Sequence, residues 1–539
     1  MNTARFNYRR RPAREVRIGS LSMGGRNPVR VQSMTNTPTS DVEASADQSE
    51  RIIHAGGELV RLTTQGVREA EAIGRVRDVL RAHGYDTPLV ADVHFNRNAA
   101  WTAAANCEKV RINPGNFADA ARTFKKLEFT DAEYTAELER VESVLIPFLE
   151  ECRRHGTALR LGINHGSLSD RIMSRYGDSP EGMTHSAMEY LRICRKAGFN
   201  DVVISMKSSN PVVMVEAVRR LAEAMDAEGM DYPLHLGVTE AGDGSVARIK
   251  SAVGIGTLLA EGLGDTVRVS LSEAPEAEIP VAKALVEYVC ARDRAIPVPV
   301  PETEPEFACR RVASPLFDGV MAIAGNHISI APDWHRTDTE ESPVLYPDDK
   351  PVILSTASLN IPGALQSWAA RFITMGGKNP IVLEVEYADS SLEDVQLKAA
   401  ADLGPVLLNG YGNAIHIVAP MDTADTELDI LQSARLRFSK TEYIACPGCG
   451  RTMFDLQGTL AKVKEATSHL TGLKIGVMGC IVNGPGEMAD ADYGYVGAAA
   501  GRISLYRNKE CVEKNIPQEE AIPRLITLIK ADGRWHDPA

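Results

Sequence analysis

Long apolar runs are missing from this chain. No stretch is long enough to span a bilayer, and 44% apolar with 24% charged residues is the composition of a soluble globular protein. Positive charge is also short: a net charge of −13 would repel phosphate backbones and argues against general nucleic-acid binding. The first 17 residues carry Arg5, Arg9, Arg10, Arg11, Arg14 and Arg17 without an apolar core, so they do not read as a secretory signal. Strand-like patterning starts soon after, leaving little for a transit peptide to remove. The nine cysteines form no paired framework, which points to a reducing compartment and a cytoplasmic protein. Neither a Walker-type loop nor a GxGxxG unit is present, so no nucleotide is indicated. At 539 residues the chain exceeds one ordinary domain, and two to four are expected.

What the chain does have is a pair of cysteine motifs near its end, ACPGCGRT at 445–452 and MGCIVNGPGE at 478–487. Cys446 and Cys449 are spaced to share one metal centre, and Cys480 follows the strand-like run LKIGVM. A third cysteine counts against a thioredoxin-like pair. Gly448, Gly450, Gly479, Gly484 and Gly486 leave backbone amides free to approach an inorganic cluster. Spacing leaves two centres open. One is structural zinc, with His469 or Cys511 as fourth ligand. The other, which the glycines favour, is an iron–sulfur cluster with three thiolates and one weaker position. Glu487, seven residues after Cys480, reads either as that weaker ligand or as an exposed residue after a Gly-Pro-Gly turn. Cys107, Cys152, Cys194, Cys290 and Cys309 lack ligand-like spacing and read as small buried hydrophobes.

Upstream, strand-like and helix-like runs alternate eight times between residues 28 and 290. The strands are expected at 28–35, 58–64, 88–95, 109–116, 158–166, 201–209, 233–240 and 265–272. Eight even units fit a TIM barrel better than an open doubly wound sheet. Arg61, Arg111, Arg160, Lys207 and Arg268 lie in these strands. Residues two apart share a face, so Arg111 goes with Asn113, Arg160 with Gly162 and Asn164, and Arg268 with Ser270. The apolar neighbours Val110, Ile112, Val267 and Val269 would face the helices, turning these polar sets inward. Pairing with Asp92 and Glu240 accounts for two of the cations but not all five. The surplus calls for an anion with several oxygens, a small phosphorylated metabolite gripped by guanidinium forks. Glu240, Asp92 and His94 end neighbouring strands, where they could either move protons or orient arginines.

The barrel is expected to span 1–295, followed by a Pro-rich linker, IPVPVPETEPE at 296–306. Residues 307–432 read as a small α/β domain with strand patterns PVILSTAS, PIVLEVEYA, PVLLNGY and NAIHIVAP and a helix from Pro362 to Met375. It has no cluster of catalytic groups. Residues 433–539 form the cysteine-bearing domain.

CPGCGRT followed by GCIVNGPGE resembles the cluster domain of the 4-hydroxy-3-methylbut-2-enyl diphosphate synthases, iron–sulfur enzymes of the methylerythritol phosphate route to isoprenoids. VQSMTNT, ADVHF, VRINPGN, GINHGSL, HLGVTEAG and DTVRVSLS are similar to that family's strand ends, and the likeness covers 28–290 and 440–510. The resemblance implies a [4Fe-4S] cluster on Cys446, Cys449, Cys480 and Glu487. It places Arg61, Arg111, Asn113, Arg160, Asn164, Lys207, Arg268 and Ser270 against a cyclic diphosphate. The implied reaction is reductive opening of 2-C-methyl-D-erythritol 2,4-cyclodiphosphate with loss of water, the electrons coming singly from reduced ferredoxin or flavodoxin. Glu240 is the candidate proton donor. The insert departs from the compact form, in which a cluster domain serves its partner's barrel in a homodimer, and is similar in placement to that of the longer class. An insert of this size after an extended linker, which reaches roughly 34 Å, leads to the expectation that this chain closes on its own barrel. Two other classes are weighed against this enzyme: a pterin-binding type of barrel with a zinc domain, and a non-catalytic iron–sulfur carrier, for which a cationic barrel has no use.

Overall fold

The computed structural model describes residues 3–119, 128–481 and 484–538; Val482 and Asn483 of the second cysteine motif lie outside the described residues. The chain forms two compact units. The first combines Pro12–Asp243, Gly264–Ala282 and Lys440–Ala539; the second combines Met1–Arg11, Gly244–Leu263 and Lys283–Ser439. No helix among the described residues is long and apolar enough to cross a membrane.

The first unit opens with an antiparallel hairpin, β1 (Val16–Ile18) and β2 (Leu21–Met23). Eight parallel barrel strands follow: β3 (Arg30–Met34), β4 (Leu59–Thr64), β5 (Leu89–Val93), β6 (Lys109–Ile112), β7 (Ala158–Asn164), β8 (Val202–Lys207), β9 (His235–Leu236) and β10 (Thr266–Val267). Their order is β8-β7-β6-β5-β4-β3-β10-β9, and a parallel bridge between Ile204 and Leu234 closes the ring. The TIM barrel expected from eight alternating runs is therefore the fold. The last two strands are much shorter than the sequence suggested, and β6, expected over 109–116, ends at Ile112 where a short helix begins. Beyond Leu236 and Val267 the backbone leaves the ladder and keeps only single bonds, such as Arg268 N–H to Leu236 O at 3.0 Å. Interconnecting helices open on side chains that accept from first-turn amides: Asp41 from Ala44, Asn96 from Ala99, Thr130 from Glu133 and Ser179 from Gly182. At the amino-terminal end of the barrel, Leu59, Val90, Ala158 and Val203 pack against Val16, Ile18 and Met23 of the hairpin, which seals that end with apolar side chains.

In the second unit, β11 (Met321–Ala322), β12 (His335–Asp338), β13 (Val352–Ser355), β14 (Ile381–Glu386) and β15 (Ala414–Val418) make one parallel sheet in the order β11-β15-β14-β13-β12. PVLLNGY, expected as a strand, is instead the last turn of the helix Leu392–Leu408 and the residues after it. That helix runs along Gly244–Ala260, which is buried on nearly every side. At the crossing, a Cβ on Gly256 would stand 3.1 Å from Ala401 Cα. A run apolar on all faces is a buried helix as readily as a strand, and here the length decides. Of the cysteines read as buried hydrophobes, Cys107, Cys152 and Cys194 are buried, Cys290 is half-buried, and Cys309 is exposed.

The carboxyl-terminal part of the first unit is a five-stranded sheet, with β16 (Glu442–Ala445), β17 (Lys474–Met478) and β18 (Tyr493–Ala499) parallel and β19 (Arg502–Arg507) and β20 (Glu510–Pro517) antiparallel. Its core of Leu460, Ile475, Tyr495, Leu505 and Leu525 is fully buried. Ala445 pairs with Val477, so both cysteine motifs leave the carboxyl ends of neighbouring parallel strands. In open α/β sheets ligands collect at such strand ends.

Candidate functional site

One cavity within the first unit is lined by the carboxyl ends of the barrel strands and by the two cysteine loops. It brings together Arg61, Arg111, Arg160, Asn164, Lys207, Glu240, Arg268 and Ser270 from the barrel with Cys446, Cys449, Cys480 and Glu487. Asn113 is the exception. Its side chain accepts from Gly115 N–H at 3.0 Å, caps the short helix Pro114–Phe117, and is not among the lining residues.

The seam between barrel and cysteine loops is close. Asn164 Nδ2 donates to Glu487 Oε1 at 2.6 Å, and Ser272 Oγ donates to the Cys446 carbonyl at 2.8 Å. Lys464 pairs with Asp243, and Ala241 bridges to Ala445. Gly166, at φ +82°, leaves no room for a side chain: a Cβ there would stand 1.9 Å from the Gly486 carbonyl oxygen. Gly486 is thus required by backbone contact with the barrel.

The five barrel cations are all buried or half-buried, and among the described residues only two of them form ion pairs with a carboxylate. Arg111 donates through NH1 to Asp92 at 3.1 Å and through NH2 to the Gly162 carbonyl at 2.9 Å; a side chain at Gly162 would collide with Arg111 Nε. Arg268 makes a two-pronged pair with Glu278, both distances 2.9 Å. Among the described residues no carboxylate pairs with Arg160 or Lys207, and Arg160 Nε and NH1 have no hydrogen-bond partner. Burial, reinforced by the neighbouring guanidinium charges, pushes Arg160 and Lys207 well below their ordinary pKa values and Arg61 down to about 10. Burial works to raise the Asp92 carboxyl, but Arg61 and Arg111 overcome it and hold the group well below the usual carboxylate range. Burial beside Arg111 lowers His94 to about 3, leaving a neutral imidazole.

Glu240 sits at φ +48°, a conformation that costs a side-chain-bearing residue of order 1–3 kcal/mol. Rather than pairing with an arginine, its carboxyl hydrogen-bonds that of Glu487. Burial and the Glu487 charge raise its pKa well above the ordinary value, which favours its protonated form.

The three thiols and Glu487 share the cavity with backbone donors, for Gly479 N–H points at Cys446 Sγ at 3.3 Å. Burial pushes the Cys446 thiol up, so ligation there must displace a proton. No three ligand-type side chains among the described residues converge on a single-ion site. Thiolates of a multi-iron cluster bind different irons and need no such convergence. Neither fourth ligand of the zinc alternative reaches the cavity. His469 stacks edge-on against Trp535, and the Cys511 thiol lies near the Glu513 carbonyl at 3.6 Å. The donor set of three thiols, a carboxylate and an amide fits an iron–sulfur cluster better than zinc.

Two residues of the site escaped the sequence reading. Glu278, the partner of Arg268, follows a loop with no strand periodicity to mark it. Arg451 stands inside the CPGCGRT motif itself. It is 6% exposed, lines the cavity, and approaches Asp92 at 3.8 Å. Opposing its burial, Cys449, Asp92 and Cys480 hold its pKa above the ordinary value.

The GcpE TIM-barrel domain matches residues 13–283, and the GcpE protein C-terminal domain matches residues 442–531. Curated relatives named 4-hydroxy-3-methylbut-2-en-1-yl diphosphate synthase (flavodoxin) match almost end to end. That of Phocaeicola vulgatus is 49% identical, over 98% of this chain and 99% of its own. The Porphyromonas gingivalis relative is 46% identical over 99% of each, and that of Akkermansia muciniphila 42% over 99% and 98%. Among solved structures, Yersinia pestis dihydropteroate synthase covers 51% of this chain and 98% of that one at 15% identity and a TM-score of 0.34.

Proposed function

The chain belongs to the 4-hydroxy-3-methylbut-2-en-1-yl diphosphate synthase family, and on that premise we infer that it catalyses the reductive ring opening and dehydration of 2-C-methyl-D-erythritol 2,4-cyclodiphosphate. It is an iron–sulfur oxidoreductase of isoprenoid biosynthesis. Two electrons and two protons enter, the ring C–O bond opens, and one hydroxyl leaves as water.

Cys446, Cys449, Cys480 and Glu487 would hold a [4Fe-4S] cluster. Such a cluster supplies single electrons and a Lewis-acidic iron, most accessible where a carboxylate replaces the fourth thiolate. The remaining roles fall to the barrel. Arg160, Lys207 and Arg61 meet the diphosphate, whose negative charge compensates cations that form no ion pair with a carboxylate among the described residues, although the Asp92 charge acts on Arg61 and Arg160 from nearby. Arg111 and Arg268, fixed by Asp92 and Glu278, present their remaining N–H groups in set directions. Ser270 and Asn164 orient the carbon skeleton. Glu240 carries its proton at a carboxyl oxygen and delivers it to the departing hydroxyl.

The observation that carries this reading is the meeting of a surplus of buried cations and three thiols in one cavity. The name of the relatives supports reduced flavodoxin as the electron donor, with ferredoxin the alternative from the same chemistry. The insert at 307–432 is read as a structural spacer. Anaerobic incubation of the reconstituted protein with the cyclodiphosphate and a chemical reductant tests the function. Linear allylic diphosphate, detected by mass spectrometry, is the expected product; unchanged substrate from a protein carrying its full iron would overturn the reading.

A further inference from the structure

Beside the catalytic cavity the first unit has a second hollow of about 400 Å³, at the start of the helix Arg97–Asn106. Two side chains more than nine-tenths buried line both spaces: His94 (5% exposed) and Arg451 (6%). Each has a nitrogen without a hydrogen-bond partner, Nδ1 of His94 and Nε of Arg451. The His94 tautomer follows from its neighbour. Arg111 NH1 contacts Nε2, and a guanidinium only donates, so Nε2 accepts and the ring proton resides on Nδ1. Both unpartnered nitrogens are therefore N–H donors. Arg97 adds a positive charge at the rim, anchored by Nε and NH2 to the carbonyls of Phe117 and Ala118. Gln65 and Asn98 contribute exposed amides, and among the described residues no carboxylate lines this hollow. Phe95, 52% exposed, stands at its edge at φ +61°, a backbone state uncommon for a side-chain-bearing residue.

We propose that this hollow is a second anion site, built for a phosphate or diphosphate group and additional to the cavity where the ring is opened. Its recognition chemistry favours an anion. The His94 and Arg451 N–H groups, the Arg97 charge and the helix amino terminus, whose Ala99 N–H is already capped by Asn96, outweigh the neutral amides of Gln65, Asn96 and Asn98. It shares two residues with the catalytic cavity without sharing the barrel cations. A diphosphate bound here would therefore occupy the approach to the reacting centre while the substrate's own diphosphate stays with Arg160 and Lys207.

The test uses the cluster-loaded full chain, saturated with cyclodiphosphate and kept without reductant, into which inorganic pyrophosphate is titrated calorimetrically. One pyrophosphate should bind although the catalytic cavity is filled. In the double variant Gln65→Glu, Asn98→Asp, which sets two carboxylates at exposed rim positions, the dissociation constant should rise at least about tenfold. Turnover of that variant with a chemical reductant should match the parent. No pyrophosphate binding to the substrate-saturated parent would overturn the proposal, as would binding that the double variant leaves unchanged. A chain that binds two pyrophosphates, one of them sensitive to the double variant, but neither binds nor converts the cyclodiphosphate would keep this site and remove the assigned reaction.

Discussion

Arg111 and Arg160 face each other across β6 and β7, yet their removal should affect stability in opposite directions. Arg160→Met deletes a buried cation that has no carboxylate. It should raise the melting temperature of the substrate-free chain while lowering kcat/KM roughly 30–150-fold, the value of a charged hydrogen bond worth about 2–3 kcal/mol. Arg111→Ala removes the hydrogen-bonded partner of Asp92, leaves that carboxylate only more distant charges, Arg61 and Arg451 among them, and should lower the melting temperature. Equal melting shifts in the two variants would contradict this division of labour. His94 gives a pH signature. Its folded pKa is about 3 and its unfolded value about 6.5, so the stability it contributes is complete above pH 6.5 and is lost as pH falls toward 3. In that window the unfolded chain binds one more proton, a slope of about 1.4 kcal/mol per pH unit that His94→Gln should remove from denaturant titrations. At the cysteines, Cys449→Ser should lose most iron and all turnover, whereas Cys290→Ser should lose neither; iron analysis decides. The arginines were legible in the sequence because strand alternation turns them inward together. Glu278 and Arg451 were not, since neither lies in a strand and their partnerships exist only once the barrel has closed against the cysteine loops.

At the scale of elements, the loop after β7 and the turn before Glu487 depend on one backbone contact. Gly166→Ala places a Cβ against the Gly486 carbonyl in a left-handed conformation that alanine also disfavours. Because this contact seats Glu487 beside Asn164 and Glu240, the variant should keep its three thiol ligands and much of its iron yet lose most turnover. Normal turnover would mean the two loops separate without consequence. Alternation marked five of the first six barrel strands well, since their inward and outward faces differ in chemistry throughout. It overstated β6, which ends at Ile112 where Asn113 caps a short helix, and also β9 and β10. Beyond Leu236 and Val267 the chain still alternates, but those residues serve Glu240, Ser270 and Ser272, and the ladder yields to them. It also misassigned PVLLNGY, where the consecutive apolar residues that end a helix carry no period to distinguish them from a buried strand.

For the molecule as a whole, a single chain supplies both the barrel cations and the three thiols of the cavity. Mixing Cys480→Ala and Arg160→Met chains, under conditions where any subunits are shown to exchange, should therefore restore no activity, because every site keeps one defect. Substantial recovery would mean that a cysteine domain serves another chain's barrel. The insert, visible in the sequence as a Pro-bounded α/β block, gave no chemical clue to this, since closure is a matter of reach and not of residue type. The hairpin β1–β2 has a consequence for traffic. With Val16, Ile18 and Met23 stopping the far end, the barrel is a blind alley and not a passage. Arriving substrate and departing product must then share the opposite end, where the cysteine loops lie, so each turnover has to vacate it before the next can begin.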